Sequence, residues 1–247
     1  MKDNFSQQAA TYAVYRPQYP QQLFDFIVSF VKGRNNAWDC GTGNGQSARV
    51  LCNYFETVFA TDISQQQIDN AFKAPNIYYT VQSAEKTTIP SNSIDLITIS
   101  QALHWFNFDL FYAEVKRVAK PQGIIAAWTY SLLKISNDID KLISTYHGET
   151  LGKYWDAERK YVDAHYSNIP FPFKKMKTPA FSIEYNWTIK DLEGYLNTWS
   201  ALQKFIAAGN FNPVPALIEN IKPLWGKAEK LKVVFPVHLL MAYVNGS

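Results

Sequence analysis

The 247-residue chain is expected to fold as α/β, with a doubly wound, mostly parallel seven-stranded sheet and a helical cap. Three observations predict this. Short apolar runs alternate with amphipathic stretches, joined by short connections, from about residue 23 to residue 128. The run from Ile94 to Ser100 is almost continuously apolar apart from Asp95 and Thr98, as a strand buried on both faces would be. And Asp39-x-Gly41-x-Gly43-x-Gly45 stands where a strand end turns into a helix, the place where nucleotide-like ligands bind in open α/β sheets.

Each element follows from its residues. Pro17 and Pro20 exclude a helix around Tyr12, Tyr15, Arg16 and Tyr19. Leu23, Phe24, Ile27, Val28 and Val31 recur at helical spacing, and Gly33 is expected to close that helix as a C-cap. Ala37-Trp38-Asp39-Cys40 is a strand. A helix over residues 46–55 carries the stripe Ala48, Leu51, Cys52 and Phe55, and its start offers free N–H groups and a positive dipole end. A strand over 57–61 ends at Asp62. Ser64-Gln65-Gln66-Gln67 has capping-box spacing and opens a helix expected to bury Ile68, Ala71 and Phe72 before Pro75. The strand 77–81 runs into Ser83-Ala84-Glu85, and Ser91-Asn92-Ser93 makes the turn before the strand 94–100. Phe111, Val115 and Val118 mark a helix ended by Pro121 and Gly123, ahead of a strand over 124–128.

The regularity then fails. Residues 131–179 are aromatic and polar. Residues 181–187 alternate like a strand, 191–207 read as one helix, 215–225 as another, and 231–237 as the core of the last strand. No composition shift marks a linker. One domain is therefore expected, with a core over 1–130, a cap over 131–179 and 188–226, and closing strands over 180–187 and 231–243.

Composition excludes several classes. The net charge of +3 (24 basic minus 21 acidic) is too small and dispersed to argue for a nucleic-acid partner. Cys40 and Cys52 give no disulfide framework and no metal quartet, and read as small packing residues of a reduced protein. Four separated histidines show no ligand pair, so no metal is expected. No apolar run reaches the roughly 18 residues of a membrane span. The first five residues lack the apolar core of a secretion signal, so cytoplasmic placement is expected.

Four stations fall at strand ends along one sheet edge: 39–45, Asp62, Ala84-Glu85, and Ser100-Gln101-Ala102-Leu103-His104. Such ends can line one crevice. Gln46 stands where a dinucleotide fingerprint needs its third glycine, which argues against a nicotinamide oxidoreductase. No Gly-Lys-Ser/Thr follows, which excludes a P-loop. Asp62 falls 21 residues after Gly41, where a carboxylate can accept from both ribose hydroxyls, although a loop or cap acid would sit there too.

These residues resemble class I S-adenosylmethionine (SAM) methyltransferases, which share a Rossmann-like fold, and in particular their type 11 small-molecule branch. The stretch from Tyr12 to Pro20 looks like the branch's Tyr-Arg-Pro-x-Tyr-Pro signature, and Ala102-Leu103-His104-Trp105-Phe106 like its Ala-x-His-Trp-Phe signature. Thr198-Trp199-Ser200 resembles a motif of trans-aconitate methyltransferase relatives. Cys40, Asn44 and Gln122 depart from the usual pattern.

The resemblance implies SAM as cofactor and S-adenosylhomocysteine as its product. Gly41, Gly43 and Gly45 would admit SAM to the backbone and Asp39 would order the turn. Asp62 would bind the ribose diol, Ile63 would pack on adenine, and Ala84 would contact adenine with Glu85 nearby. Gln101 would lie beside the methionine, with Tyr12 and Arg16 closing over it. His104 is either a general base or a hydrogen-bonded structural residue; His147 and His165 are weaker candidates. Trp105 and Trp199 are candidate acceptor contacts, Trp199 being alternatively a core residue, and Tyr146, Tyr154, Trp155 and Tyr166 suit an aromatic pocket beside them. A small-molecule acceptor, with a carboxylate among the candidates, and a monomer or homodimer are expected. The alternative is a non-catalytic SAM- or nucleotide-binding module.

Overall fold

In the computed structural model, residues 15–245 are described; Tyr12 lies outside them. Seven strands form one sheet in the order β3-β2-β1-β4-β5-β7-β6. They are β1 (Asn36–Cys40), β2 (Thr57–Asp62), β3 (Ile77–Val81), β4 (Ile94–Ser100), β5 (Ala119–Tyr130), β6 (Phe181–Trp187) and β7 (Leu231–Tyr243). The first five pair in parallel, and β7 runs antiparallel to both β5 and β6.

Alternation along the strands builds a core on each face. Ala37, Val58, Leu96, Ile124, Ala126 and Trp128 meet helices α1 (Gln21–Ser29) and α2 (Gln46–Leu51) on one side. Trp38, Cys40, Ile97, Ile99, Ile125 and Ala127 point the other way and meet helix α4 (Phe108–Val118) through Phe111, Val115 and Val118. The short α3 (Gln65–Asp69) lies between β2 and β3 in the chain.

The irregular part joins both cores. Helices α5 (Asn137–Thr145), α7 (Ile189–Asn197) and α9 (Val214–Trp225) bury Ile139, Leu192, Leu196, Leu217 and Ile221 in the same cluster as Phe24 and Trp128. Val162 of α6 (Arg159–Asp163), with Tyr166, Ile169 and Phe173, packs instead in the cluster of Phe111 and Tyr112. Residues 131–179 thus straddle the sheet. Among the described residues, no helix is long and apolar enough to cross a membrane.

Several expectations are corrected. The helix expected over 46–55 stops at Leu51 and gives way to turns. Phe72 is 40% exposed, because the helix that would have buried it ends at Asp69. The helix expected over 191–207 is two, α7 and α8 (Ser200–Ala207), separated at Thr198 and Trp199. The Thr198 hydroxyl donates to the Tyr195 carbonyl at 2.7 Å, and Trp199 is extended at φ −71°, ψ 128°; a threonine bonding back to the preceding turn competes with the helix ladder. Gly33 is not a helix cap. It lies beyond the C-cap Phe30, and a Cβ there would overlap the Asp95 carboxylate.

That carboxylate pins the starts of three strands. Asp95 in β4 is 5% exposed. It accepts the Asn36 N–H of β1 at 2.9 Å and both its oxygens lie 2.8 Å from Lys120 Nζ in β5. Removing one partner of a buried pair strands its charge. Lys120→Ala is therefore expected to destabilise the fold by about 3 kcal/mol, the low end of that effect because Lys120 is partly exposed. Urea unfolding measures it, and a loss near zero would show that the pair is dispensable.

Candidate active site

After β1 the chain turns through Gly41, Gly43 and Gly45, all left-handed at φ +66°, +55° and +82°. A side chain there costs about 1–2 kcal/mol, but the surroundings differ. A Cβ on Gly41 would stand 2.6 Å from Ala102 Cβ, and one on Gly45 would run into the Tyr79 hydroxyl. Those two glycines allow close packing. A Cβ on Gly43 would meet only Gln67 Oε1, at 3.9 Å. Of the three, Gly41 and Gly43 line the cleft and Gly45 does not.

Asp39 orders this turn from below. It is 1% exposed and accepts from the Thr42 hydroxyl at 2.6 Å, the Thr98 hydroxyl at 2.9 Å and the Ala48 N–H at 3.1 Å. Burial pushes its carboxyl up to about 6, against the pull of those hydrogen bonds. The Ala48 bond consumes one of the first N–H groups of α2, so that helix start offers fewer free donors than its sequence implies.

Asp62, at the end of β2, accepts the Gly43 N–H at 2.8 Å and the Ser64 N–H at 2.9 Å. The Ser64 hydroxyl in turn accepts the Gln67 N–H at 3.3 Å. Ser64 therefore caps α3 as expected, with Asp62 serving the Ser64 N–H in the reciprocal bond. The turn and the end of β2 are one hydrogen-bonded unit.

Over this unit opens a cleft of about 950 Å³, mouth included, whose wall includes Arg16, Gly43, Asp62, Ile63, Gln101 and Trp105. Gln101 leaves β4 at φ +55°, a strained conformation for a side chain that larger than glycine's. Its N–H donates to the Trp128 carbonyl at 2.9 Å, and its Oε1 accepts from the Thr129 hydroxyl. Arg16 donates to the Tyr130 hydroxyl at 2.9 Å. Ala84 and Glu85 stand outside the lining; Glu85 accepts the Asn107 N–H at 2.9 Å and ties the loop after β3 to the start of α4.

A second cavity adjoins the cleft. The two share Arg16, Gln101, Trp105 and Tyr130, and the second adds His104, Trp155, Asp156, Arg159, Tyr195 and Trp199 among its walls. Trp199 is both wall and core: it is 4% exposed, stacks on Tyr146 at 5.7 Å and lies 5.6 Å from Trp155. Tyr154 is outside both linings, and Tyr166 sits behind His104. Asp156, Arg159, Tyr130 and Tyr195 were not singled out as site residues in the sequence. An arginine in an aromatic segment was the signal for Arg159, nothing local marked Tyr130, and Tyr195 was marked only as part of the cap over 188–226.

His104 is buried, with Nδ1 2.9 Å from the Tyr166 hydroxyl. Burial, reinforced by the Arg159 charge, pulls its pKa from 6.5 to about 3. The imidazole is neutral at neutral pH and a weak base. His147 packs against Trp155 and Trp199 and falls to about 4 for the same reasons. His165 stacks on His238 at 4.2 Å. Neither lines the cleft or the second cavity.

Comparison with known proteins matches this geometry. Residues 38–127 fit the type 11 family model described as "Methyltransferase domain". A Dictyostelium discoideum protein named as a methyltransferase is 37% identical over 97% of this chain and 94% of its own length. The chain belongs to the class I SAM-dependent methyltransferases. A solved structure from Anaeromyxobacter dehalogenans, named as a type II methyltransferase, superimposes with a TM-score of 0.87 at 34% identity, covering 95% of this chain and 100% of that one. A Saccharomyces cerevisiae protein named as a SAM-dependent methyltransferase is 25% identical over 64% of this chain and 59% of its own. The methyltransferase uses SAM as its cofactor. Its cleft fits that molecule on two counts: a bare Cα at Gly43, and a carboxylate held in place at Asp62 beside it.

The shifted pKa of His104 makes a stability test. An imidazole whose pKa falls on folding is protonated more readily in the unfolded chain. Its contribution is intact above about 6.5 and is lost as pH falls toward about 3. Each pH unit in that window costs about 1.4 kcal/mol. Going from pH 7 to pH 5 should cost about 2 kcal/mol through His104, and His104→Gln should remove that share. Urea unfolding of both proteins at the two pH values checks this; equal losses would refute the assignment.

Proposed function

We propose that the enzyme methylates a small-molecule acceptor, with SAM in the strand-edge cleft and the acceptor in the second cavity. The observation that carries this reading is the shared wall of Arg16, Gln101, Trp105 and Tyr130 between two adjoining spaces. In this reading Asp62 holds the ribose diol, Ile63 packs on adenine, the Gly41–Gly43 backbone faces the methionine and ribose, and Gln101 and Arg16 stand at the methionine end. The resemblance adds Tyr12 there. Residues 131–179 and 188–226 act as the cap that selects the acceptor.

When bound, SAM supplies a methyl group on an electrophilic sulfonium. The protein's part is alignment and exclusion of water, and positioning of this kind can supply about 7–11 kcal/mol. Trp105, Trp155, Tyr195 and Trp199 give that space an aromatic wall among polar groups such as Arg16, Gln101 and Arg159, the mix of apolar surface and a few placed polar groups that small-molecule sites have. His104 is too weak a base to deprotonate an acceptor at neutral pH. This supports an acceptor whose oxygen is already ionised in water, and a carboxylate meets that need.

Two measurements test the cofactor half. Asp62→Ala should weaken SAM binding by about 1.5–3 kcal/mol, the value of hydrogen bonds to a charged group; unchanged affinity in calorimetric titration of a folded variant would sink the assignment. The glycines should separate. Gly43→Ala should reduce SAM affinity with a stability loss of only about 1–2 kcal/mol for its positive φ. Gly41→Ala should lose more stability, because its Cβ also overlaps Ala102. The same stability loss for both variants would mean that these surroundings do not matter.

A further inference from the structure

The second cavity holds a charge that the fold uses only in part. Arg159, the first residue of α6, donates its Nε–H to Asp163 Oδ1 at 2.9 Å. Its guanidinium lies over the Trp155 ring, 4.5 Å from the centroid. The two terminal nitrogens make no hydrogen bond or ion pair with any described residue. The side chain is 26% exposed and lines the second cavity and not the cleft. Its charge is felt around that cavity: it pushes His104 and His147 down, and it acts on Tyr166 and Tyr195. The acid in the same wall, Asp156, is held by Lys204 at 2.5 Å, and Asp163 is outside the lining.

We propose that Arg159 is a specificity residue: its terminal N–H pair anchors an anionic group of the acceptor, a carboxylate, at the end remote from methyl transfer. This rests on the second cavity being the acceptor site. The chemistry is direct. A guanidinium held at Nε by Asp163 presents its terminal N–H groups as a planar fork, which matches a carboxylate bidentately. Stacking on Trp155 fixes that fork before the ligand arrives, so less side-chain freedom is lost on binding. The remainder of the acceptor lies against Trp155, Tyr195 and Trp199. Arg16, Gln101, Trp105 and Tyr130 form the transfer end, and Arg159 is not among them. The class is a small organic acid with an apolar body.

The test uses the full chain saturated with S-adenosylhomocysteine, so that binding is read without turnover. trans-Cinnamate, phenylacetate and hexanoate are titrated calorimetrically, each against its own primary amide. For the wild type, at least one acid should bind about 10-fold or more tighter than its amide, the value of a charge-assisted hydrogen bond. Arg159→Gln should abolish that preference, Arg159→Lys should keep part of it, and S-adenosylhomocysteine affinity should stay the same in all three. Acids that bind no better than amides in the wild type overturn the proposal, as does a preference that survives in Arg159→Gln; should that variant not fold, Arg159→Met is read in its place. A wild type that does not bind S-adenosylhomocysteine, or acids that displace it, would instead sink the two-cavity reading.

Discussion

The Asp39 carboxylate is cut off from water, and the cofactor end of the molecule is built around satisfying it. A buried carboxylate is costly unless its oxygens are hydrogen-bonded. Here three donors come from three places: Thr42 in the turn, Ala48 in α2 and Thr98 in β4. Meeting all three fixes the strand end, the turn and the neighbouring strand relative to one another. The turn can take this shape because Gly41, Gly43 and Gly45 accept positive φ. Its Gly43 N–H is then left pointing at Asp62, which is how two stations 19 residues apart become one edge.

Electrostatics divides the two cavities. The cleft has the Asp62 carboxylate in its wall and shares Arg16 with the second cavity. The second cavity mixes aromatic and polar walls with Arg159 among them, and burial together with that charge keeps His104 neutral. A neutral His104 bonded to Tyr166 fits the structural one of the two roles the sequence left open. Trp199 does not sort the same way: it holds Tyr146 and Trp155 together and also faces the cavity, because the break between α7 and α8 turns it inward.

The cap is not a lid resting on a finished domain. Its helices share one apolar cluster with α1 and the central strands, while Val162 and Tyr166 belong to the cluster on the opposite face. In the proposed reading, acceptor selection and core packing are therefore coupled: a change at Tyr146 or Tyr166 reaches the cavity through Trp199 or His104. This also explains why no linker composition marks residues 131–179.

The sequence by itself determined the sheet, its winding and the stations at its edge. Those signals are local: strand runs, glycines at every second position, a capping serine after Asp62. Boundaries were less legible where a tertiary contact overrode propensity. Gly33 reads as a cap from its neighbours and is in fact a clearance for Asp95, 62 residues away; Phe72 follows helical spacing, but its helix has already ended. Only the tertiary structure decided that Gly41 and Gly43 face the cleft and Gly45 does not, that Ala84 and Glu85 stand off its wall, and that Tyr130, Asp156, Arg159 and Tyr195 meet in one cavity. Those residues come from β5, the segment before α6, α6 itself and α7, and nothing in local spacing relates them. They converge because the irregular segment must bury its own apolar residues on both faces of the sheet, and that packing carries one arginine into an aromatic wall.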